Sequence, residues 1–119
     1  MWLEEILSGN EVVGLPWLTI LGFLRISTHR RIFPNPYSPL ESLTIIEKWL
    51  ACASVKILEP GPQHWRILRS VIAELGTAGN LTSDAHLAAM ALEYDAELYS
   101  NDRDFTRIAK LRWVNPLNP

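Results

Sequence analysis

The chain predicts a three-layer α/β domain built on a mainly parallel sheet. Short β-prone runs alternate along its length with amphipathic stretches of helical size. The prolines fall at places that punctuate those stretches, and no repeat or low-complexity tract interrupts the alternation. With 119 residues, 48% of them hydrophobic and 20% charged, there is enough apolar material for one core and too little charge for disorder, so residues 1–119 form a single domain.

Trp2, Leu3, Ile6 and Leu7 share one apolar helical face. No capping residue precedes Trp2, so this helix starts in mid-pattern, which predicts further sequence upstream. Glu11 to Leu15 is β-prone, and Pro16 suits the first turn of a helix running through Trp17, Leu18, Leu21, Leu24 and Arg25. His29 to Tyr37, with two prolines and a basic triplet, is a loop. Ser38, Pro39 and Glu41 then supply cap, first-turn proline and capping-box acid for a helix to about Cys52. Val55 to Leu58 is a strand, Glu59 to Pro62 a turn, and His64 to Leu75 a helix that Gly76 stops. Asn80 to Asp84 offers caps for a helix over Ala85 to Tyr94, where Ala88 and Ala91 predict close packing. Glu97 to Ser100 and Leu111 to Val114 are strands flanking a loop with a short helix.

Bulk properties narrow the function. A net charge of −2, from 11 basic and 13 acidic side chains, gives no general basic field, so a nucleic-acid partner requires a local patch. The lone Cys52 excludes an internal disulfide and a Cys-rich zinc site and suits a reducing, cytoplasmic setting. The acidic start lacks the pattern of a secretory signal and no apolar run approaches membrane-spanning length, so no membrane partner is expected.

In parallel α/β sheets ligands bind beyond the carboxyl ends of the strands. Asp102 and Asp104 directly follow the strand ending at Ser100, and Asp84 opens the helix before it, so all three could meet at one end of the sheet. Hard cations such as Mg²⁺ and Mn²⁺ take a few carboxylates and leave positions for a phosphodiester. Spacing alone leaves a second reading open: Asp84 favours a helix start and Asn101-Asp102 is ordinary turn chemistry. His29, Arg30 and Arg31 could contact phosphates or be solvated surface. Arg103 and Arg107 could bind phosphate or neutralise the acidic cluster. His86 points away from the Asp84 face and reads as a surface or partner-facing residue, and His64 as structural. Trp17, Trp49 and Trp65 fall on apolar helical faces and read as core, Trp2 packs if its helix docks, and Trp113 sits in the last strand. No base-stacking platform, phosphate loop or nucleophile triad is visible.

Several motifs, in order, resemble a known family. Gly14-Leu15-Pro16-Trp17-Leu18, then Gly22 to Thr28, Phe33-Pro34-Asn35-Pro36, Asn80 to Ala88, Leu98 to Phe105 and Leu111 to Pro116 together look like a PIN-domain toxin of the VapC type, nearly end to end. The resemblance implies a PIN-like α/β/α sandwich and a Mg²⁺- or Mn²⁺-dependent endoribonuclease toxin of a type II toxin–antitoxin system. It implies RNA such as tRNA or rRNA as substrate, inhibition by a VapB-type antitoxin, and a homodimer. By motif, Asp84, Asp102 and Asp104 match the family's metal-binding acidic positions. Relatives begin with a strand ending in an aspartate that nothing before Trp2 supplies, and many carry a Glu where Gly22 stands. The first strand is therefore expected to be missing, through a start assigned too far downstream or a decayed gene. An impaired remnant that binds antitoxin or dimerises is the competing function. An unrelated α/β binding domain is the third, and it would leave the three aspartates scattered.

Overall fold

A computed structural model describes residues 2–7, 9, 11–32 and 34–117. Phe33 of the Phe33–Pro36 motif and the side chain of Trp2 lie outside the described residues. The chain divides into two compact units, residues 1–58 and 59–119. Among the described residues no helix is long and apolar enough to cross a membrane.

The first unit contains α1 (Trp2–Leu7), β1 (Val13–Pro16), α2 (Trp17–Ser27), α3 (Pro39–Ala51) and β2 (Val55–Leu58). Strands β1 and β2 pair in parallel, Val13 opposite Val55 and Pro16 opposite Leu58, as a connection through two helices requires. Gly14 sits where a Cβ would overlap the Leu58 side chain, so any larger residue there forces that side chain to shift. Pro16 closes β1 and stands just before α2, one position earlier than its expected first-turn place. The capping box is present as expected: Ser38 Oγ accepts from the Glu41 amide and Glu41 accepts from the Ser38 amide. Leu7, Leu15, Ile20, Ile46 and Val55 form the core, and Phe23 meets Trp49 edge to face at 4.6 Å. Buried Ser27 and Ser42 satisfy one another at 2.7 Å.

The second unit contains α4 (His64–Leu75), a 3₁₀ turn (Gly79–Leu81), α5 (Thr82–Glu93), β3 (Leu98–Tyr99), a 3₁₀ segment (Arg103–Arg107) and β4 (Trp113–Val114). Gly76, at φ 74°, ends α4 in the left-handed conformation its sequence position predicts. Fully buried Ala85 and Ala88 on α5 lie in one core cluster with Val71 and Leu75 of α4, small side chains that permit close helix approach. Phe105, Ile108 and Leu111 complete that cluster. Both carboxylate oxygens of Glu93 receive backbone amides, from Gly61 and Gln63, tying the end of α5 to the turn that starts α4. Strands β3 and β4 are parallel and shorter than expected, with the ladder continued by Leu98 N to Arg112 O and Ser100 N to Val114 O.

Two of the three tryptophans read as core are exposed. Trp49 is half-buried, but Trp17 is 47% and Trp65 72% exposed. On α4 the inward stripe is Ile67, Leu68, Val71, Ile72 and Leu75, and Trp65, two turns before Ile72, falls at the edge of that stripe beside Arg69, where it stays exposed. An apolar residue at the first turn of a helix matches the sequence pattern on either face, so periodicity did not separate the two.

Candidate metal centre

Three short-range devices bring the acidic residues to one place within the second unit. Asp84 lies in the first turn of α5, whose next residue, Ala85, is fully buried and fixes the rotation of the helix. Asp102 caps the 3₁₀ segment: its Oδ1 accepts from the Asp104 amide at 2.9 Å, while its own amide donates to Ser100 Oγ at 3.1 Å. Phe105, 2% exposed, and Ile108, 3% exposed, anchor that segment in the core. The indole of Trp113 donates to Ser100 O at 2.8 Å and so braces the end of β3 that leads into the turn.

The outcome is a cluster in which one carboxylate oxygen from each of Asp84, Asp102 and Asp104 lies within 4.8 Å of the others. Burial pushes the Asp84 carboxyl above its ordinary value, and the charge of Asp102, a hydrogen bond with Asp102 and the charge of Asp104 push the same way. Three oxygen donors that repel one another suit a hard divalent cation, which relieves the repulsion and leaves coordination positions for water or phosphate oxygens. The scattering that an unrelated binding domain would give is not what these residues show.

The basic residues divide differently. Arg107 donates through Nη2 to Leu75 O at 2.9 Å, capping the C-terminus of α4, so its guanidinium is tied there. Arg103 is exposed, and no ion pair among the described residues links either arginine to the aspartates. His29, Arg30 and Arg31 are all exposed on a turn after α2, in the first unit, with His29 Nδ1 accepting from the Arg31 amide.

Sequence reasoning missed a histidine pair. His86, read as a surface or partner-facing residue, is half-buried with its Nδ1 at 2.9 Å from His64 Nε2, the rings at 74° to each other. Burial first, and then His64, hold His86 below its ordinary value. Among the described residues His64 Nδ1 is buried without a partner, so the pair is best satisfied when His64 donates through Nε2 and its proton is not stranded on Nδ1. A contact between residues 22 apart leaves no mark in local periodicity.

Comparison with known proteins identifies the family. The PIN domain model matches residues 1–111. Ribonuclease VapC33 of Mycobacterium tuberculosis is 39% identical over 116 residues, covering 98% of this chain and 81% of the relative. VapC ribonuclease Mb2897 of Mycobacterium bovis is 40% identical over 116 residues, covering 98% and 79%. The crystal structure of VapBC2 from Rickettsia felis bound to a DNA fragment from their promoter superposes with a TM-score of 0.68 at 18% identity, over 93% of this chain and 80% of that one, which supports the α/β PIN-like fold. With the family model covering most of the chain and relatives near 40% identity matching almost all of it, the chain belongs to the VapC family of PIN-domain ribonucleases.

Proposed function

We propose that residues 1–119 act as one PIN-like domain, a Mg²⁺- or Mn²⁺-dependent endoribonuclease that is the toxin of a type II toxin–antitoxin pair. The observation that carries this reading is the convergence of Asp84, Asp102 and Asp104 on a single volume. A divalent ion held there would supply Lewis-acid stabilisation of a phosphodiester and a lowered pKa for water. The chain's own part is to hold the three carboxylates at fixed separation: Asp84 through the buried first turn of α5, Asp102 and Asp104 through the 3₁₀ segment pinned by Phe105. Arg103, exposed between the two later aspartates, is suited to a phosphate oxygen of the substrate. His29, Arg30 and Arg31 offer a further cationic contact for RNA such as tRNA or rRNA, and the reaction belongs in the cytoplasm.

The partners follow from the same reading. VapBC2 of Rickettsia felis is a toxin–antitoxin assembly by its name, and a VapB-type antitoxin is the proposed inhibitor of this chain. Trp17, Leu18 and Leu21 on α2, with Leu40 and Leu43 on α3, are exposed apolar residues that suit an antitoxin or a second copy in a homodimer. That surface also favours the second reading, a catalytically impaired module that only binds antitoxin or dimerises.

Incubation of RNA with the chain and Mn²⁺ separates the two. The ribonuclease reading expects cleavage that Asp84→Asn abolishes. Antitoxin binding without cleavage by the native chain, and without bound Mn²⁺ by calorimetry, would establish the second.

A further inference from the structure

Strand β3 is short, and its pairing with β4 gives out where the chain turns toward Asp102. With Leu98 opposite Trp113 and Tyr99 opposite Val114, the parallel ladder runs on to Ser100 N, which donates to Val114 O at 3.0 Å. In that register the next donor, the amide that would reach Ser100 O, belongs to residue 116. That residue is Pro116, which has no N–H. The indole of Trp113 supplies the donor in its place, with Nε1 at 2.8 Å from Ser100 O. The rest of the ring packs, half-buried, against the core cluster of the second unit. Ser100 is therefore held from β4 at both its amide and its carbonyl. Its hydroxyl accepts the Asp102 amide at 3.1 Å, and Asp102 Oδ1 accepts the Asp104 amide at 2.9 Å. One run of hydrogen bonds thus leads from Trp113 to both later aspartates.

We propose that Trp113 is a positioning residue for the metal centre: its indole N–H stands in for the amide that Pro116 lacks, and by fixing Ser100 it sets where Asp102 and Asp104 lie relative to Asp84. The inference rests on the divalent-metal reading of the three aspartates. An indole N–H donates and has no lone pair to offer a cation, so its part is to hold ligands and not to be one. Asp84 is fixed separately, by the buried Ala85 beside it on α5, and Phe105 and Ile108 anchor the far side of the 3₁₀ segment. The near side depends on Ser100. Slack there would move two of the three carboxylates against a fixed third, and hard cations with strict geometry lose affinity when their ligands are poorly oriented. Packing alone would be served by any large apolar ring. What packing does not require is an N–H aimed at the carbonyl that the ladder leaves without its amide.

The test is calorimetric titration of Mn²⁺ into the full chain. Trp113→Phe keeps a packing ring and removes the N–H, and it should weaken Mn²⁺ binding roughly ten-fold, the low end of what losing an outer partner of a metal ligand costs. Ser100→Ala, which removes the acceptor of the Asp102 amide, should weaken it by a similar factor of about ten. The two together should cost well under the roughly hundred-fold to which independent effects would multiply, because both cut the same run of bonds. With RNA, the Mn²⁺ concentration giving half the maximal cleavage rate should rise in Trp113→Phe by the factor seen in calorimetry. Urea unfolding of each chain without metal separates positioning from stability. A Trp113→Phe chain that is less stable yet binds Mn²⁺ as tightly as the native one overturns the proposal, since packing then explains the tryptophan. Native affinity in Ser100→Ala overturns it as well, whether or not the tryptophan variant folds. Mn²⁺ binding by the native chain that Trp113→Phe leaves unchanged sinks this inference alone, whereas a native chain that binds no Mn²⁺ sinks the metal reading and this inference with it.

Discussion

Replacing Asp84 by Asn should make the chain more stable at neutral pH while abolishing its activity. The carboxylate oxygens of the three aspartates lie within 4.8 Å of one another. At that separation a pair of unit charges repels by about 0.9 kcal/mol in the dielectric of water, and screening at physiological salt leaves roughly 0.6 of it. Asp84 takes part in two such pairs, so its neutralisation relieves about 1 kcal/mol. Loss of a negative charge from the first turn of α5 takes back about 0.3–1 kcal/mol. Burial of Asp84 weighs on the side of relief, as its raised carboxyl shows. The net is a gain of about 0.5 kcal/mol, or a rise of about 2–4 °C in Tm.

The pH dependence has a definite sign. A carboxyl whose folded value is raised binds its proton more readily in the native state, so its contribution to stability is full below the ordinary value of 3.8 and is lost as pH rises through the folded value. The advantage of Asp84→Asn should therefore be greatest at pH 7 and shrink toward pH 3.8. Urea unfolding of both chains across that range measures it, and Mn²⁺ should raise the native midpoint more than the variant's. A variant less stable than the native chain at pH 7, or equally stabilised by Mn²⁺, would refute the picture of three crowded carboxylates around a cation site.

Phe105→Ala removes a side chain that is 2% exposed and should cost about 3–5 kcal/mol in urea unfolding; because the same segment carries Asp102 and Asp104, calorimetric Mn²⁺ affinity should fall with it. Gly14→Ala forces a methyl into the Leu58 side chain and should destabilise by about 1–3 kcal/mol, visible in the midpoint of the same titration. His86, held below its ordinary value of 6.5, is stabilising when neutral, so that contribution is present above pH 6.5 and is lost as pH falls below it. Unfolding midpoints of the native chain should drop between pH 7.5 and pH 5 more steeply than those of His86→Gln, and parallel slopes would exclude the histidine pair as the cause.

Trp65 and His86 show why part of the structure was not legible in the chain. The spacing of apolar residues assigns Trp65 its face, and the offset of His86 from Asp84 on the same helix assigns the histidine its own. A helix face is defined only by what packs on it, and the partner of His86 is His64, on another helix. The aspartates were legible because each stands at an element boundary, where turn and cap chemistry is local. Their convergence was an expectation that α5 and the turn after β3 would meet, and in the structure they do.

The sequence by itself determined what depends on neighbours within a turn or two: the span of α4 from His64 to the left-handed Gly76, the capping box at Ser38, and the positions of β1 and β2. Hydrogen bonds between residues three or four apart and the φ preferences of proline and glycine act before any packing occurs. Tertiary structure alone decided that Trp65 is exposed, that His64 and His86 share a proton position, and that Asp84 comes within 4.8 Å of Asp102 and Asp104. Those outcomes depend on how α4, α5 and the Phe105 segment bury their apolar surface together, a sum over many distant contacts to which burial area contributes and direction along the chain does not.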